Sequence, residues 1–510
     1  MDRGIGIFGL RRPWGCLALC IVLSFGPGRH GLSAAGPKAE ERRPPNIVVI
    51  LADDFGYGSL GCYGAEGLRT PNLDRLAHEG RKFRCAYTPG SVCSPTRYGL
   101  MTGRYYWRTS IKDGEVLPVT APLHIETDRL TLASLCRGRG YRTAAFGKWH
   151  LGLGDAAKTD WNRPLKPGPL EIGFNHFFGL AANPWNGPHS FIKDYEITGR
   201  IPGQPVILQA GGRQNNTTSG IIKPWEENQI MQTLTERTVA WLEENGEGPF
   251  FLYFAPNAVH RPVAPNPHFQ GSRYGVYGDF IHELDWSVGR LLDTLDRLKR
   301  ADDTLVIFTS DNGGVVNPNV EEVAAAMRAG LAINGPLRGG KHDIWEGGFR
   351  VPLLVRWPGR VPAGTTSDQV IGLVDMLATL AGFLDVPLPA GQAEDSFDAR
   401  AALFETEPSR PVRDHIILQD AHATYAIRMG NWKLVERVGA PPVEPRNRNA
   451  AQKLARAKKE APRHDELFDL ASDPSESNDV HAEHPDIVAK LRRALAEARD
   501  RGHTRPGGTP

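Results

Sequence analysis

The sequence of 510 residues predicts an α/β fold, in which helices sandwich a large, doubly wound, mostly parallel sheet and a smaller C-terminal α+β domain follows. Two observations lead to this prediction. Short apolar runs rich in β-branched or aromatic residues alternate with helical patterns, as they do in βαβ units. The last part of the chain instead contains short strand-like pieces and one amphipathic helix.

Four of the apolar runs have two features in common. Each consists almost entirely of apolar residues, and each ends in charged side chains or side chains that can bind a metal. They are NIVVILADD (46–54), YRTAAFGKWH (141–150), PFFLYFAPNAVH (249–260) and TLVIFTSDN (304–312). Such runs suit strands that are buried on both faces of a sheet. Ligands of open α/β sheets bind outside the carboxyl ends of the strands. The sequence therefore predicts a functional site where these strands end.

The spacing of apolar residues also predicts helices and a domain division. It predicts a long helix over residues 278–300 and a shorter one over residues 131–141. We expect a catalytic domain at 45–386 and, after a break rich in proline and glycine, a small α+β domain at 387–495. The end of the chain, 496–510, is rich in glycine and proline and is expected to be a flexible tail.

The first segment indicates export. Arg3, Arg11 and Arg12 precede the apolar run CLALCIVLSFG, and the small residues of LSAAG follow, which is the order of a secretory signal peptide. That run is too short for a comfortable membrane span. We therefore expect a signal peptide at 1–35, no stable membrane insertion, and a location in the periplasm, the extracellular space or the secretory-pathway lumen. The net charge of +2 gives no reason to expect a nucleic acid as partner.

The cysteines that remain after export are too few for a disulfide framework. They are Cys62, Cys85, Cys93 and Cys136. If Cys93 has a chemistry of its own, at most one bridge can form among the other three, and the sequence does not select the pair.

Acidic and amide side chains stand at the ends of two predicted strands. Asp53 and Asp54 end the first, and Asp311 and Asn312 end the fourth. Adjacent acids repel each other unless a cation lies between them, and oxygen ligands favour Ca²⁺ or Mg²⁺ over zinc. Either pair alone is also compatible with a helix cap or an Asx-turn. Two pairs at equivalent strand ends favour a metal site.

Basic side chains are predicted to converge on the same edge, although a lone lysine or histidine is usually a surface or core residue. They are Arg97, Lys148, His150, His260 and Lys341. Together with a metal, this set suits a tetrahedral oxyanion. A cysteine in these surroundings would be a thiolate, and a soft thiolate matches a hard cation poorly. An unmodified Cys93 therefore explains the site badly.

The stretch CSPTRYGLMTGR (93–104) resembles the signature of type I sulfatases of the alkaline phosphatase superfamily, in which the cysteine of Cys-x-Pro-x-Arg is oxidised to formylglycine. Other blocks resemble that family in the same order: ILADDFGYGSLGCYG, GKWHLG, FTSDNGG, PLRGGK, EGGFRVPLLVRWPG and DELFDLASDPSESND. The similarity spans about residues 46–479. Thr96 departs from the family, where serine is common, and the piece between Gly313 and Leu337 is longer and more polar.

The resemblance implies an arylsulfatase-like sulfuric ester hydrolase that acts on aryl sulfates in vitro and on a sulfated small molecule or glycan naturally. It implies one Ca²⁺ per chain, with Mg²⁺ as the alternative, and a formylglycine-generating maturation enzyme as partner. It also implies a role for each site residue. Asp53, Asp54, Asp311, Asn312 and modified Cys93 would bind the metal, Arg97 and His150 would hold the aldehyde hydrate, Lys148 and Lys341 would bind sulfate, and His260 would contact the substrate at its leaving oxygen.

In the implied mechanism, one hydroxyl of the hydrate attacks sulfur and the alcohol leaves with a proton from His260 or Lys341. The second hydroxyl then collapses to the aldehyde and expels sulfate. A phosphonate or phosphate monoester hydrolase on the same scaffold is the alternative. A carbohydrate-binding protein with a vestigial site is disfavoured, because no metal or cation position is missing. Either a sugar pocket or a structural role is compatible with Trp107, Trp161, Asn183, Trp185 and His189.

Overall fold

The computed structural model describes most of the chain that follows the predicted signal peptide. The described residues are 44–211, 214–221, 224–438 and 462–507, together with 452, 455 and 459. The predicted signal peptide, 1–35, lies outside them. Within these ranges, every helix is too short or too polar to span a lipid bilayer.

Strands and helices are interspersed over the first three quarters of the described chain. The strands are β1 (Asn46–Ala52), β2 (Arg81–Tyr87), β3 (Arg142–Lys148), β4 (His176–Leu180), β5 (Ile192–Lys193), β6 (Glu196–Ile197), β7 (Ile207–Gly211), β8 (Gln214–Ser219), β9 (Phe250–Ala255), β10 (Thr304–Ser310), β11 (Arg350–Arg356), β12 (Thr365–Ser367), β13 (Ile371–Gly372), β14 (His415–Gln419), β15 (Tyr425–Met429), β16 (Trp432–Glu436) and β17 (Glu466–Asp469). The helices are α1 (Pro71–Glu79), α2 (Cys93–Thr102), α3 (Leu132–Gly138), α4 (Ile230–Asn245), α5 (Gly275–Arg297), α6 (Glu321–Arg328), α7 (Glu346–Phe349), α8 (Met376–Phe383), α9 (Arg400–Phe404) and α10 (Pro485–Asp500).

The large sheet is mixed, with a parallel centre, which confirms the predicted fold class. Its strand order is β12-β2-β11-β10-β1-β9-β3-β4-β5-β6, and β13 pairs with β2. The neighbours β10, β1, β9, β3 and β4 are mutually parallel. Strand β11 is antiparallel to both β10 and β2. The carboxyl ends of β1, β2, β3, β9 and β10 therefore lie at one edge of the sheet, and β11 begins at that edge.

Both faces of the central strands are covered, which explains why their sequences are apolar without interruption. In β1, the side chains of Val49 and Leu51 pack in a core with residues of α2, α3, α8 and α9. Their neighbours Val48 and Ile50 pack on the opposite face with residues of α1, α4, α5 and α6. The two predicted helices are present as α5 and α3, and both begin and end within a few residues of the predicted limits.

A second, antiparallel sheet follows, with the order β14-β15-β16-β17. One face packs against Leu491 and Leu495 of α10, and the other packs against Tyr87 and Phe349 of the large domain. Helix α10 runs past residue 496, where the predicted tail begins, because the buried side chain of Ala498 still belongs to this core. The division into domains at residue 386 remains a prediction.

Candidate active site

The two acid-bearing strand ends are neighbours in the sheet. Asp53 and Asp54 follow β1, and Asp311 and Asn312 follow β10, its parallel partner. The backbone N–H of Asp311 donates to the carbonyl of Ala52 at 3.0 Å. The N–H of Asp54 donates to Oδ1 of Asp311 at 3.1 Å. The in-register parallel pairing thus brings all four polar side chains together.

The other predicted residues reach the same edge from separate elements. Lys148 is the last residue of β3, His260 follows β9, and Cys93 begins α2 after β2. Lys341 precedes β11, and because that strand runs antiparallel to its neighbours, the segment before it arrives at this edge. The fold therefore brings together every residue that the sequence assigned to the site, although the role of each remains a prediction.

Cys93 lies between the acids and the lysines. Its Sγ is 3.7 Å from Oδ1 of Asp53, 3.2 Å from Nζ of Lys148 and 3.8 Å from Nζ of Lys341. Burial raises the pKa of this thiol to about 12, although the two lysines oppose the increase. With these protein groups alone, an unmodified Cys93 is thus a thiol; the thiolate expected from the sequence assumed a metal ion beside the sulfur. All four cysteines of the described chain are free.

The carboxylates are compensated by basic side chains. Nζ of Lys148 is 2.7 Å from Asp53 and Nζ of Lys341 is 2.6 Å from Asp54; Asp53, Asp54 and Lys148 are buried, and the Lys341 side chain is 9% exposed. Burial raises the pKa of Asp53 to about 7 against the charge of Lys148, and the neighbouring acids add to the effect. Burial also acts to raise the pKa of Asp54, but Lys341 and His260 outweigh it and lower that pKa. Two adjacent acids therefore have opposite pKa shifts.

The donor set fits a hard divalent cation. Ligand atoms of Asp53, Asp54, Cys93 and His260 lie within 4.8 Å of one another. Oδ1 of Asn312 is buried without a hydrogen-bond partner, while its Nδ2 donates to Asp54 at 2.8 Å. A buried acceptor without a partner is costly, and a cation would satisfy it. The position of His260 in this group was not predicted, because the sequence indicated only a role at the leaving oxygen.

Arg97 links Cys93 to the acids at the strand ends. It lies one helical turn after Cys93 on α2, so both side chains share a face of the helix. Nη2 of Arg97 is 2.7 Å from Oδ2 of Asp311, and Nη1 donates to the carbonyl of Lys148 at 2.8 Å. The guanidinium is fully buried. It fixes the acid of β10 and the end of β3 relative to the start of α2.

In each of the two histidines, one ring nitrogen contacts a backbone carbonyl. Because a carbonyl can only accept a hydrogen bond, that nitrogen carries the ring proton and donates it to the bond. Nε2 of His150 donates to Leu117 at 3.0 Å, and its Nδ1 is buried without a partner. Nδ1 of His260 donates to Arg261 at 2.6 Å, and its Nε2 lies 3.8 Å from Asp54. Burial, with nearby lysine charges, holds the pKa of both rings well below the usual range. Each neutral ring therefore has one nitrogen free to accept a proton.

The five residues considered for a sugar pocket lie in different parts of the structure. The ring of Trp185 lies 4.8 Å from that of His260, at the site. Oδ1 of Asn183 is buried without a partner, and the His189 ring nitrogen contacts the carbonyl of Trp185 at 3.2 Å. Trp107 belongs to the core beneath the small sheet, and Trp161 belongs to a core of the large sheet. Only the segment from 183 to 189 is therefore a candidate wall of the pocket.

Known proteins are similar to this chain in sequence and in fold. Residues 45–386 match the family model named Sulfatase. An N-acetylgalactosamine-6-O-sulfatase of Bacteroides thetaiotaomicron is 34% identical over 518 residues, covering 94% of this chain and 99% of that protein. Arylsulfatase A of Homo sapiens is 33% identical over 427 residues, covering 80% of this chain and 78% of the relative. A solved structure from the glycosaminoglycan metabolism of Bacteroides thetaiotaomicron has a TM-score of 0.82 at 33% identity, covering 90% of this chain and 100% of that one.

Proposed function

The chain belongs to the sulfatase family and is a sulfuric ester hydrolase, and we propose that it uses a formylglycine at position 93 and a divalent cation to cleave sulfate monoesters. One observation carries this proposal. Cys93, at the start of α2, lies within 4 Å of two lysines and an acid that come from other elements. A nucleophile, oxyanion-binding cations and metal-binding acids thus meet at one buried point.

Ca²⁺ is the proposed cation, with Mg²⁺ as the alternative. Its ligands would be residue 93 in its modified form together with Asp53, Asp54, Asp311 and Asn312. Three carboxylates and the unpartnered amide oxygen of Asn312 support a hard cation. When bound, the cation withdraws electron density from the sulfate oxygens and so makes the sulfur easier to attack.

The side chains around residue 93 fit the chemistry of an aldehyde hydrate. When formed, the hydrate supplies two hydroxyls on one carbon, one to attack sulfur and one to release sulfate by elimination. The free Nδ1 of His150 is an acceptor for one of these hydroxyls, and Arg97 holds Asp311 beside them. Lys148 and Lys341 bind the sulfate oxygens. The leaving oxygen takes its proton from the Lys341 ammonium, or from His260 once the free Nε2 of that ring has accepted a proton. Because Cys93 is 1% exposed, the maturation enzyme must act before this fold forms.

The substrate class to test first is a sulfated amino sugar of a glycan that the exported enzyme meets outside the cytoplasm. A relative named N-acetylgalactosamine-6-O-sulfatase aligns with nearly the whole chain, which supports this choice. The aromatic ring of Trp185 beside His260 supports a sugar ring at the same rim. We therefore propose 6-sulfated N-acetylgalactosamine as the first substrate.

Turnover of matched esters tests the proposed function. The mature enzyme should release sulfate from an aryl sulfate and from 6-sulfated N-acetylgalactosamine, and its kcat/KM for the aryl sulfate should exceed that for the corresponding aryl phosphate and phosphonate. The Cys93→Ala variant should release none, whereas Cys62→Ser, which changes a half-buried thiol away from the site, should keep full activity. Faster turnover of the phosphate or phosphonate would instead support the alternative hydrolase.

A further inference from the structure

The loop that carries Lys341 contains no helix or strand, and it is held by bonds to other segments, such as that from the N–H of His342 to the carbonyl of Ser91 at 3.0 Å. It runs from Arg338 to Trp345, and Gly339 and His342 have φ values of 69° and 80°. Lys341 itself is fixed by one backbone bond, from its N–H to the carbonyl of Gly314 at 3.1 Å. A lysine side chain also has many rotamers. Restraints from other parts of the chain must therefore set the position of its ammonium beside Asp54.

Three fully buried charged side chains lie at the C-terminal end of this loop. They are Glu346 of α7, Lys433 of β16 and Glu476, which follows β17; we call them the Lys433 cluster. Nζ of Lys433 is 3.1 Å from Glu346 and 2.8 Å from Glu476, and it donates to the carbonyl of Ile344 at 3.0 Å. The ammonium thus contacts two carboxylates and the loop backbone at once. Tyr87 of β2 donates to the other oxygen of Glu346 at 2.5 Å.

Glu476 also reaches the N-terminal end of the loop. Its carbonyl accepts from Nη1 of Arg338 at 2.7 Å, and its carboxylate accepts from the N–H of Glu346 at 2.6 Å. The guanidinium of Arg338 lies over the ring of Trp345 at 3.6 Å, and the N–H of Gly347 donates to the Arg338 carbonyl at 2.8 Å. Both ends of the loop are therefore tied to one residue, with Lys341 between them.

The backbone of Glu476 adds an independent indication. Its φ is 52°, in the left-handed region that a non-glycine residue adopts only at a cost. Such conformations persist where the surrounding contacts determine them, and they concentrate at functional sites. A buried ion pair is also often no better for stability than apolar residues of similar size, and in some proteins it specifies one arrangement of its partners. The Lys433 cluster is thus better suited to fixing a position than to stabilising the fold.

We propose that Lys433 and Glu476 are positioning residues of the active site: through Glu346 and Arg338 they hold the loop so that the Lys341 ammonium meets the transferred sulfate. This inference rests on the proposed function, in which Lys341 binds sulfate. It assigns the small sheet a part in catalysis, because β16 and the segment after β17 supply the cluster. A displacement of about 1 Å at a substrate-binding group lowers rates by roughly 100-fold.

The test uses the mature full-length enzyme and the double variant Lys433→Met/Glu476→Gln, which removes one charge of each sign. The matched control is Arg499→Met/Glu436→Gln, which removes a partly buried pair, at 2.9 Å, between Glu436 of the same strand and Arg499 of α10, away from the loop. We expect the cluster variant to lose roughly 10- to 100-fold in kcat/KM for an aryl sulfate, and the control to lose little. In a Lys341→Ala background, the cluster variant should lose no more than about twofold further.

Hydrogen–deuterium exchange over residues 338–346 gives a reading that needs no turnover. We expect faster exchange there in the cluster variant and not in the control. Unchanged exchange would overturn the inference while leaving the proposed function intact. So would a loss in kcat/KM from the cluster variant that is as large in the Lys341→Ala background as in the enzyme with Lys341. A wild-type enzyme that releases no sulfate would overturn the proposed function, and with it the part of the inference that concerns sulfate. If the double variant does not fold, Glu476→Gln, whose amide oxygen still accepts from Glu346, takes its place in every comparison.

Discussion

At the scale of single residues, the chemistry of the site depends on the groups that surround Cys93. The thiol is buried, its pKa is raised to about 12, and two ammonium groups lie within 4 Å of its sulfur. A protonated thiol is a weak nucleophile. The environment therefore fits an oxygen nucleophile that the two lysines and a cation can polarise.

Replacing that residue by serine separates attack from release. In Cys93→Ser, a hydroxyl remains beside Lys148 and Lys341, but there is no second hydroxyl on the same carbon. We expect the variant to react at most once and to retain sulfate on the serine, because elimination is impossible. Intact-protein mass after incubation with an aryl sulfate should show the adduct, with product near one equivalent. Sustained turnover close to that of the mature enzyme would contradict the elimination step.

Asp311 tests the proposed metal site with little change of shape. The Asp311→Asn substitution removes one negative charge and keeps one oxygen for Arg97, while its amide NH2 replaces the oxygen that accepts from the N–H of Asp54. We expect a loss of metal affinity of roughly 10- to 100-fold, together with most of the activity. Elemental analysis of the purified variant and titration with Ca²⁺ measure this effect. An unchanged Ca²⁺ affinity would exclude Asp311 as a ligand.

At the scale of elements, the sequence predicts the strands that are buried on both faces. It does not predict the direction of β11, the strand that places Lys341 at the site. The runs at β1, β3, β9 and β10 are apolar throughout, so their carboxyl ends could be assigned to one edge. Strand β11 contains a proline and runs antiparallel, and its direction depends on pairing with β2 and β10. The contact of Lys341 with Asp54 follows from that direction, which no local pattern encodes.

The loop after β9 makes a second contact that no local sequence pattern predicts. The N–H of Val259 donates to the carbonyl of Asp53 at 2.7 Å, and the N–H of Asp53 donates to the carbonyl of Ala258 at 3.0 Å. These bonds fold the loop back over β1 and bring His260 into the group around the acids. They join residues more than two hundred positions apart in the chain. The sequence could indicate that His260 reaches the edge, but not which ligand atoms it meets.

Helix α5 carries a buried acid whose effect on stability depends on pH. One oxygen of Glu283 accepts from the N–H of Asn266 at 2.9 Å, and the other is buried without a partner. Burial raises the pKa of Glu283 from 4.5 to about 7. Between these values only the folded state retains the proton, so the stability of the folded state falls as pH rises through this window.

We therefore expect Glu283→Gln to increase the free energy of unfolding by roughly 1–3 kcal/mol above pH 7 and to leave it nearly unchanged at pH 4.5. Denaturant unfolding at both pH values measures the difference. Asp285 on the same helix is the matched control, because its oxygens accept from the N–H groups of Asn72 and Leu73 and from Nδ2 of Asn72. Asp285→Asn turns one acceptor into a donor, so it should give no gain at either pH. An equal gain for Glu283→Gln at pH 4.5 would refute the charge explanation.

At the scale of the whole molecule, buried acids at the ends of β1 and β10 couple stability to the proposed cation. Without it, the acids at these two strand ends repel one another at the edge of the sheet, although Lys148, Lys341 and Arg97 oppose that repulsion. A cation that binds only the folded state stabilises it by RT ln(1 + [L]/Kd), about 2.7 kcal/mol at one hundred times Kd. We expect removal of the metal to abolish turnover and to lower the unfolding midpoint, and Ca²⁺ to restore both. Full turnover by enzyme that elemental analysis shows to be metal-free would contradict the role of the cation.

The central claim is that a sulfatase fold here uses an aldehyde made from Cys93. Mass spectrometry of the tryptic peptide Cys85–Arg97, from active enzyme made in its native host, tests it most directly. The account predicts a peptide in which the thiol-bearing carbon of residue 93 has lost its sulfur and become an aldehyde, in proportion to the active fraction. A fully active enzyme in which this peptide holds an unmodified thiol at position 93 would contradict the account.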